Sequence, residues 1–377
     1  MKLDASNRWP ATGVMKGFFT IVRRPRFLRY IIVYVILLWI CVGGWMRLIS
    51  PRLKEHIRLL EALDPSAGGE KIKPWFGTNS LPKFSDLVHL RTLDPALLPS
   101  NEKPAGDNQK RKRLIVVGDV HGCLDELESL LQKTNFDHKN GDHLIFTGDL
   151  IAKGPESIGV VDLARKHRAS CVRGNHEDRV LLRRREAKEN TRSLDNEPNK
   201  ADYDLEAYST ERSLAIQLSD EQANWLDGCP VILKVGSIKG MGEVVVVHGG
   251  LVPGVELASQ DPSAVMSMRT IDLSSHVPSA SSKGVSWTKL FNKHQSMLAV
   301  ARQSAPPGMR DRYSGATTVI YGHDANPSPS LKKYTKGLDT NCVKGGKLSA
   351  MIIQDGGKSH IASVKCKNYT TKRKSKH

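Results

Sequence analysis

The stretch Leu114-Ile115-Val116-Val117-Gly118-Asp119-Val120-His121-Gly122-Cys123 decides how the rest of this sequence is read. Four branched apolar residues in a row suit a strand buried on both faces, as in a parallel sheet packed between layers. The run stops on a glycine, and a carboxylate and an imidazole follow two residues apart. Glycine lets the chain turn sharply at a strand end and lets a ligand come close to the backbone. Alone, an Asp-x-His after a strand is most often a turn with a surface histidine.

The same design recurs four more times. Apolar runs at 143–147, 170–172, 244–247 and 317–321 each read as a buried strand, and each runs into a polar turn. Those turns are Gly148-Asp149, Gly174-Asn175-His176-Glu177, His248-Gly249-Gly250 and Gly322-His323-Asp324. Strand ends in a sheet lie side by side, so the residues just past them converge. What converges here is carboxylate and amide oxygen with imidazole nitrogen, a donor set that suits zinc, manganese or iron. Two such ions sharing a carboxylate would bind a phosphate and activate water for in-line attack.

The series GDVHGC, GDLIAKGP, RGNHE, HGG and GHD resembles the calcineurin-like metallophosphoesterases, in the branch that holds the Ser/Thr protein phosphatases. The resemblance covers nearly all of residues 112–365. It implies an α/β fold, a four-layer sandwich of two mixed β-sheets flanked by helices. It also implies two divalent metal ions, zinc first, with manganese, cobalt or iron as alternatives. Asp119 and His121 would hold one ion, Asn175, His248 and His323 the other, and Asp149 would bridge both. His176 would be the general acid at the leaving oxygen, with Asp324 supporting His323.

Departures from that pattern bear on the substrate. Ala152-Lys153 stands where the protein phosphatases have Asp-Arg. That aspartate orients the catalytic histidine, and here it is missing. That arginine grips phosphate, and Lys153 replaces it with a mobile point charge. Lys283, at the head of Lys283-Gly284-Val285-Ser286-Trp287-Thr288, replaces a second phosphate-gripping arginine. Arg173 is a further candidate phosphate contact, with a structural arginine at a strand end as the equal alternative. The Ala152 motif and the late Gly337-Leu338-Asp339-Thr340-Asn341-Cys342 resemble the symmetrical diadenosine tetraphosphatases, which cleave phosphoanhydrides. A phosphate oxygen leaves readily, its second pKa being about 6, so a poorly oriented acid suits an anhydride better than phosphoserine.

Composition places this domain in a larger plan. The 377 residues carry 56 Lys+Arg against 39 Asp+Glu, a net +17. Residues 1–29 hold +6, residues 365–377 another +6, and 110–113 a further +4, which leaves about +1 for the body. Bulk charge therefore does not argue for a nucleic-acid partner. Residues 30–46 are uncharged, and 28–49 are interrupted only by Arg29 and Arg47, enough to span a bilayer. The expected order is a cytosolic basic tail (1–29), a signal anchor (30–49), a stalk or lead-in (50–109), the catalytic domain (110–366) and a basic tail (367–377). The positive-inside rule makes this a single-pass type II protein with a lumenal catalytic domain. A charge-rich segment, 183–212, reads in its middle as an exposed, mobile insertion.

The six cysteines lack CxxC spacing, which argues against a zinc knuckle. Cys342 and Cys366 flank an expected hairpin and either pair or stay free. Asn368-Tyr369-Thr370 is a glycan acceptor if the tail is lumenal. With the anchor added, the chain resembles the zinc-dependent endopolyphosphatases of fungal vacuoles. That implies hydrolysis of internal phosphoanhydride bonds of inorganic polyphosphate at the vacuole membrane. The alternatives are a dinucleoside tetraphosphate hydrolase or a membrane-bound Ser/Thr protein phosphatase. A dead adaptor is set aside, since all six ligand positions and His176 are kept.

Overall fold

The computed structural model of the chain describes residues 25–63, 87–100, 112–190, 205–275, 277–306, 309 and 315–370. The outer parts of both basic tails, much of the expected lead-in and the middle of the charged insertion lie outside the described residues. Two units divide the chain, residues 1–67 and 68–377.

The first unit is helical. α1 (Pro25–Gly44) runs through a π-turn at Trp45–Ile49 into α2 (Ser50–Ala62). Pro25 suits a helix start, where its missing N–H has no partner to lose. The twenty residues of α1 span about 30 Å, the thickness of a bilayer's hydrocarbon core. Its apolar stretch is unburied, with Ile32, Leu37, Trp39 and Ile40 all exposed. The helix is long and apolar enough to cross a membrane.

The second unit rests on two mixed sheets. In one, the parallel strands β2 (Arg113–Val117), β3 (Asp142–Phe146) and β4 (Ser170–Cys171) are extended by an antiparallel hairpin, β13 (Lys347–Gln354) and β14 (Ser359–Lys365), in the order β14-β13-β2-β3-β4. The other sheet has the order β1-β5-β6-β10-β12-β11. Its strands are β1 (Leu90–Thr92), β5 (Ile232–Ile238), β6 (Gly242–Val247), β10 (Thr317–Tyr321), β11 (Ser330–Leu331) and β12 (Thr335–Gly337). All five strands expected from the apolar runs are present, divided between the two sheets.

Alternation along β2 explains the layers. Leu114 and Val116 point into an inter-sheet core with Val244, Val246 and Ile320, while Ile115 and Val117 join a helix-side core. That outer core takes Leu127, Leu130 and Leu131 of α3 (Leu124–Lys133) and Val160 and Val161 of α4 (Ser157–Lys166). Buried positions in α3 recur at i, i+3 and i+4, and Asp125 and Glu126 meet its positive N-terminal end. Three further helices follow β4 in sequence: α5 (Asn175–Asn190), α6 (Leu205–Gln217) and α7 (Asp220–Asp227). Beyond the six-stranded sheet lie α8 (Pro262–Ser267), a small sheet of β7 (Thr270–Ile271), β8 (Pro278–Ser279) and β9 (Val285–Ser286), and α9 (Trp287–Ser304).

Two features differ from the sequence reading. Residues 87–100 are not a stalk: β1 pairs in parallel with β5, and Leu93 is buried in the inter-sheet core. Its three residues are all exposed, so no alternation marks it. The flanks of the charged insertion are also helical, as the ends of α5 and α6. Two disulfides close the fold, Cys342–Cys366 at the base of the β13–β14 hairpin and Cys171–Cys229, which the spacing did not suggest.

Candidate metal centre and active site

Each motif turn sits at the carboxyl end of its strand, and the two sheets bring those ends together. Asp119 follows β2, Asp149 follows β3, and Asn175 opens α5 just after β4. His248 follows β6 and His323 follows β10. A cavity of about 160 Å³ is lined by Asp119, His121, Asp149, Asn175, His176 and His323, with Lys153 beside them. His248 lies fully buried behind it.

Asp149 is the common element. Its carboxylate groups with His121 and His176 on one side and with His248 and His323 on the other, the donor atoms of each group lying within 4.8 Å of one another. Asp149 Oδ2 is 3.3 Å from His248 Nε2 and 3.5 Å from His121 Nε2. Asn175 Oδ1 is 3.1 Å from His248 Nε2. Asp119 is buried nearby and accepts the His323 N–H at 3.0 Å. Glycine is required beside these acids: a Cβ on Gly174 would lie 2.3 Å from Asp149 Oδ1, and one on Gly322 2.0 Å from Asp119 Oδ1.

The backbone itself is constrained here. Of eight described non-glycine residues with positive φ, six are His121, Asp149, Ala152, Lys153, His323 and Asn341. Such conformations cost energy and persist where surrounding contacts over-determine them. Glu177 supplies some of those contacts, accepting the N–H groups of Asp149, Leu150, Ile151 and Gly174.

Electrostatics fit a cation-binding centre. Burial, then Asp339, pushes Asp119 well above the carboxylate range, whereas His248, His176 and His121 outweigh burial and hold Asp149 well below it. Against burial, Asp149 and Asp119 push His248 up to about 10. Burial pushes His121 down to about 4 and His323 to about 3, leaving the neutral imidazoles that metal ligation requires. The ring geometry suits this too: His121 Nδ1 is 3.2 Å from the Ile151 carbonyl, His248 Nδ1 2.8 Å from that of Thr147, and His323 Nε2 2.9 Å from that of Ser267. A carbonyl on one nitrogen fixes the tautomer and aims the other.

The calcineurin-like phosphoesterase family model matches residues 112–327. The chain is a calcineurin-like phosphoesterase. This phosphoesterase is 29% identical over 261 residues to the zinc-dependent endopolyphosphatase of Saccharomyces cerevisiae, covering 64% of this chain and 76% of that protein. It is 27% identical over 281 residues to a symmetrical bis(5'-nucleosyl)-tetraphosphatase of Erwinia tasmaniensis, covering 64% and 93%. A crystal structure of a protein proposed to be a diadenosine tetraphosphatase superposes with a TM-score of 0.52 at 27% identity, over 74% of this chain and 99% of that one.

The phosphate contacts named from sequence divide. Lys153 lines the cavity, its Nζ 2.9 Å from His121 Nε2. Arg173 is buried away from the cavity lining, paired with Asp227 at 2.7 Å and Asp178 at 3.3 Å. Lys283 is exposed in the loop between β8 and β9 and is not among the described lining residues. Arg269, from the start of that sheet, and Lys344, from the loop after β12, line the cavity instead. Asp339, at the end of β12, does so too. It obeys the strand-end rule that revealed the other acids, but its strand is three residues long and left little pattern to notice. Asp324 approaches Arg269 Nε at 4.0 Å.

Proposed function

We propose that this phosphoesterase hydrolyses internal phosphoanhydride bonds of inorganic polyphosphate, in the lumen of a vacuole to whose membrane α1 anchors it. One observation carries the substrate class. Among the described residues, the cavity at the shared carboxylate is lined by three cations, Lys153, Arg269 and Lys344, and by no Phe, Tyr or Trp. A repetitive polyanion needs charge from several directions and no surface for stacking a base. Both disulfides support an oxidising lumen.

Asp119, His121, Asp149, Asn175, His248 and His323 would hold two divalent ions, zinc foremost, which when bound supply Lewis acidity and an activated water. Lys153, Arg269 and Lys344 neutralise charge that builds on the non-bridging oxygens as the P–O bond lengthens. Two of the three are lysines, which follow a flexible chain with little demand on orientation. His176, beside Asp149 at the cavity wall, delivers a proton to the departing phosphate oxygen.

A second reading, dinucleoside tetraphosphate hydrolysis, has an observation of its own. A second cavity of about 460 Å³ shares Lys153 and runs between the Ala152–Ile158 turn and α6, lined by Ser209, Thr210, Ser213 and Gln217. These polar side chains suit a sugar. The deciding experiment offers the full-length protein, in detergent, long-chain polyphosphate, a dinucleoside tetraphosphate and a phosphopeptide, each with zinc, manganese or cobalt. Polyphosphate should break into fragments of intermediate length. Release from chain ends alone, or a preference for the dinucleotide or phosphopeptide, overturns the proposal.

A further inference from the structure

Ala152 stands where the protein-phosphatase pattern has the aspartate that orients the catalytic histidine. A different carboxylate occupies the neighbourhood. Glu211, on α6, is 7% exposed, and its Oε1 lies 3.7 Å from His176 Nδ1. The same oxygen accepts a hydrogen bond from Arg179 Nε at 2.8 Å. Arg179 Nη2 in turn lies 2.9 Å from His176 Nδ1 and 3.0 Å from its Nε2. Arg179 and His176 are three residues apart on α5, so they share one face of that helix. On its other side the imidazole meets the His121 ring edge to face, with centroids 5.1 Å apart.

We propose that Glu211 is the positioning carboxylate for His176, delivered by α6 in place of the missing aspartate and strapped to the imidazole through Arg179. The role rests on the assignment of His176 to the leaving oxygen. At 3.7 Å the contact is longer than a hydrogen bond, and a shift of about 1 Å closes it, as catalytic hydrogen bonds do when substrate binds. Arg179 is the part that gives: its side chain is 45% exposed and can turn toward a phosphate, leaving Glu211 to accept the Nδ1–H. The proton on Nε2 then passes to the leaving oxygen as its bond to phosphorus breaks. Glu211 itself takes up no proton. It fixes which nitrogen faces the substrate.

A bulky separation in sequence hides this relationship. His176 and Glu211 are brought together by the pairing of α5 with α6, and the segment carrying Glu211 reads from sequence as part of a charged insertion.

The test uses the full-length enzyme and two aryl phosphates, one with an activated leaving group (p-nitrophenolate) and one without (phenolate). Help at the leaving oxygen matters more for the poorer leaving group. Glu211→Gln should therefore raise the ratio of kcat on p-nitrophenyl phosphate to kcat on phenyl phosphate about tenfold, with KM changed by no more than about twofold. Glu211→Ala should do the same, and Glu211→Asp should recover part of the loss. In a His176→Asn background, Glu211→Gln should change nothing further, because residues acting as a unit are not additive. Equal losses on both esters, or a loss that multiplies with that of His176→Asn, overturns the proposal and marks Glu211 as structural. Unchanged melting of the Gln variant shows that the fold is intact. Wild type that cleaves both esters but not polyphosphate refutes the substrate assignment alone, and leaves the Glu211 comparison standing.

Discussion

Glu177 Oε2 accepts the backbone N–H of Asp149 at 2.7 Å, so a helix residue holds the turn whose side chain both donor groups share. Burial, then Asp149, pushes Glu177 up to about 7. Glu177→Gln would turn an amide NH₂ toward a cluster of N–H donors. Leaving such donors unpaired costs about 1–3 kcal/mol. A denaturant melt should show that loss, with a lower metal content by elemental analysis. A variant with wild-type stability and metal content would show that the turn holds its shape unaided.

Asp149→Asn removes the charge that sets His248 high and that both donor groups depend on. Activity should vanish while the folded state survives, since His121, His248 and His323 keep their carbonyl contacts. Bound metal and near-normal turnover in that variant would contradict the bridging assignment.

Acid should weaken the fold through His143. Burial, with His138 adding to it, pushes this histidine down to about 4, and its Nε2 lies 2.9 Å from Ser170 Oγ. The folded state holds it neutral, while the unfolded chain takes up a proton near pH 6.5. Its contribution is thus complete above about pH 6.5 and is lost as pH falls toward 4, amounting to roughly 2 kcal/mol by pH 5. Melting temperature measured from pH 7 to 4.5 should fall less steeply in His143→Gln. Parallel slopes would remove His143 from the account.

Reduction should destabilise the catalytic unit. The disulfides close spans of 58 and 24 residues. Chain entropy alone assigns them about 4 and about 3 kcal/mol. A Cys171→Ser/Cys229→Ser variant should therefore lose more than Cys342→Ser/Cys366→Ser. It should also lose activity, because Cys171 ends the strand that leads into Asn175. Equal melting of both variants and wild type would rule out pairing in the native protein.

The site was legible wherever a strand ran directly into its functional turn, as at Asp119, Asp149 and His323, because that signal is local. Two sheets were expected from the family resemblance, but which strand joins which was not legible, since strand order leaves no local pattern. Arg269, just before β7, lines the cavity and Lys283, in the β8–β9 loop, does not, although both border one small sheet. Only tertiary placement separates them. Glu211 was hidden for the same reason: its neighbour His176 is 35 residues away, beyond a segment with little apolar periodicity.

Topology has a built-in reporter. Asn368 is exposed within its Asn-Tyr-Thr sequon, and Thr370 Oγ1 donates to its side-chain oxygen at 2.8 Å. A lumenal domain should show a glycosidase-sensitive mobility shift that Asn368→Gln abolishes. Protease added to sealed organelles should spare the domain. Digestion without detergent would place the domain in the cytosol.

The donors come from both sheets: Asp119, Asp149 and Asn175 from one, His248 and His323 from the other. An ion held by such a set would bind only the closed sandwich, so the stability of that state would rise with the logarithm of the free ion concentration. Intracellular proteolysis acts on the opened chain, and its rate follows the opened population. A shortage of metal would therefore shorten the lifetime of the protein as well as lower its activity. Abundance, as much as turnover number, would then follow metal supply.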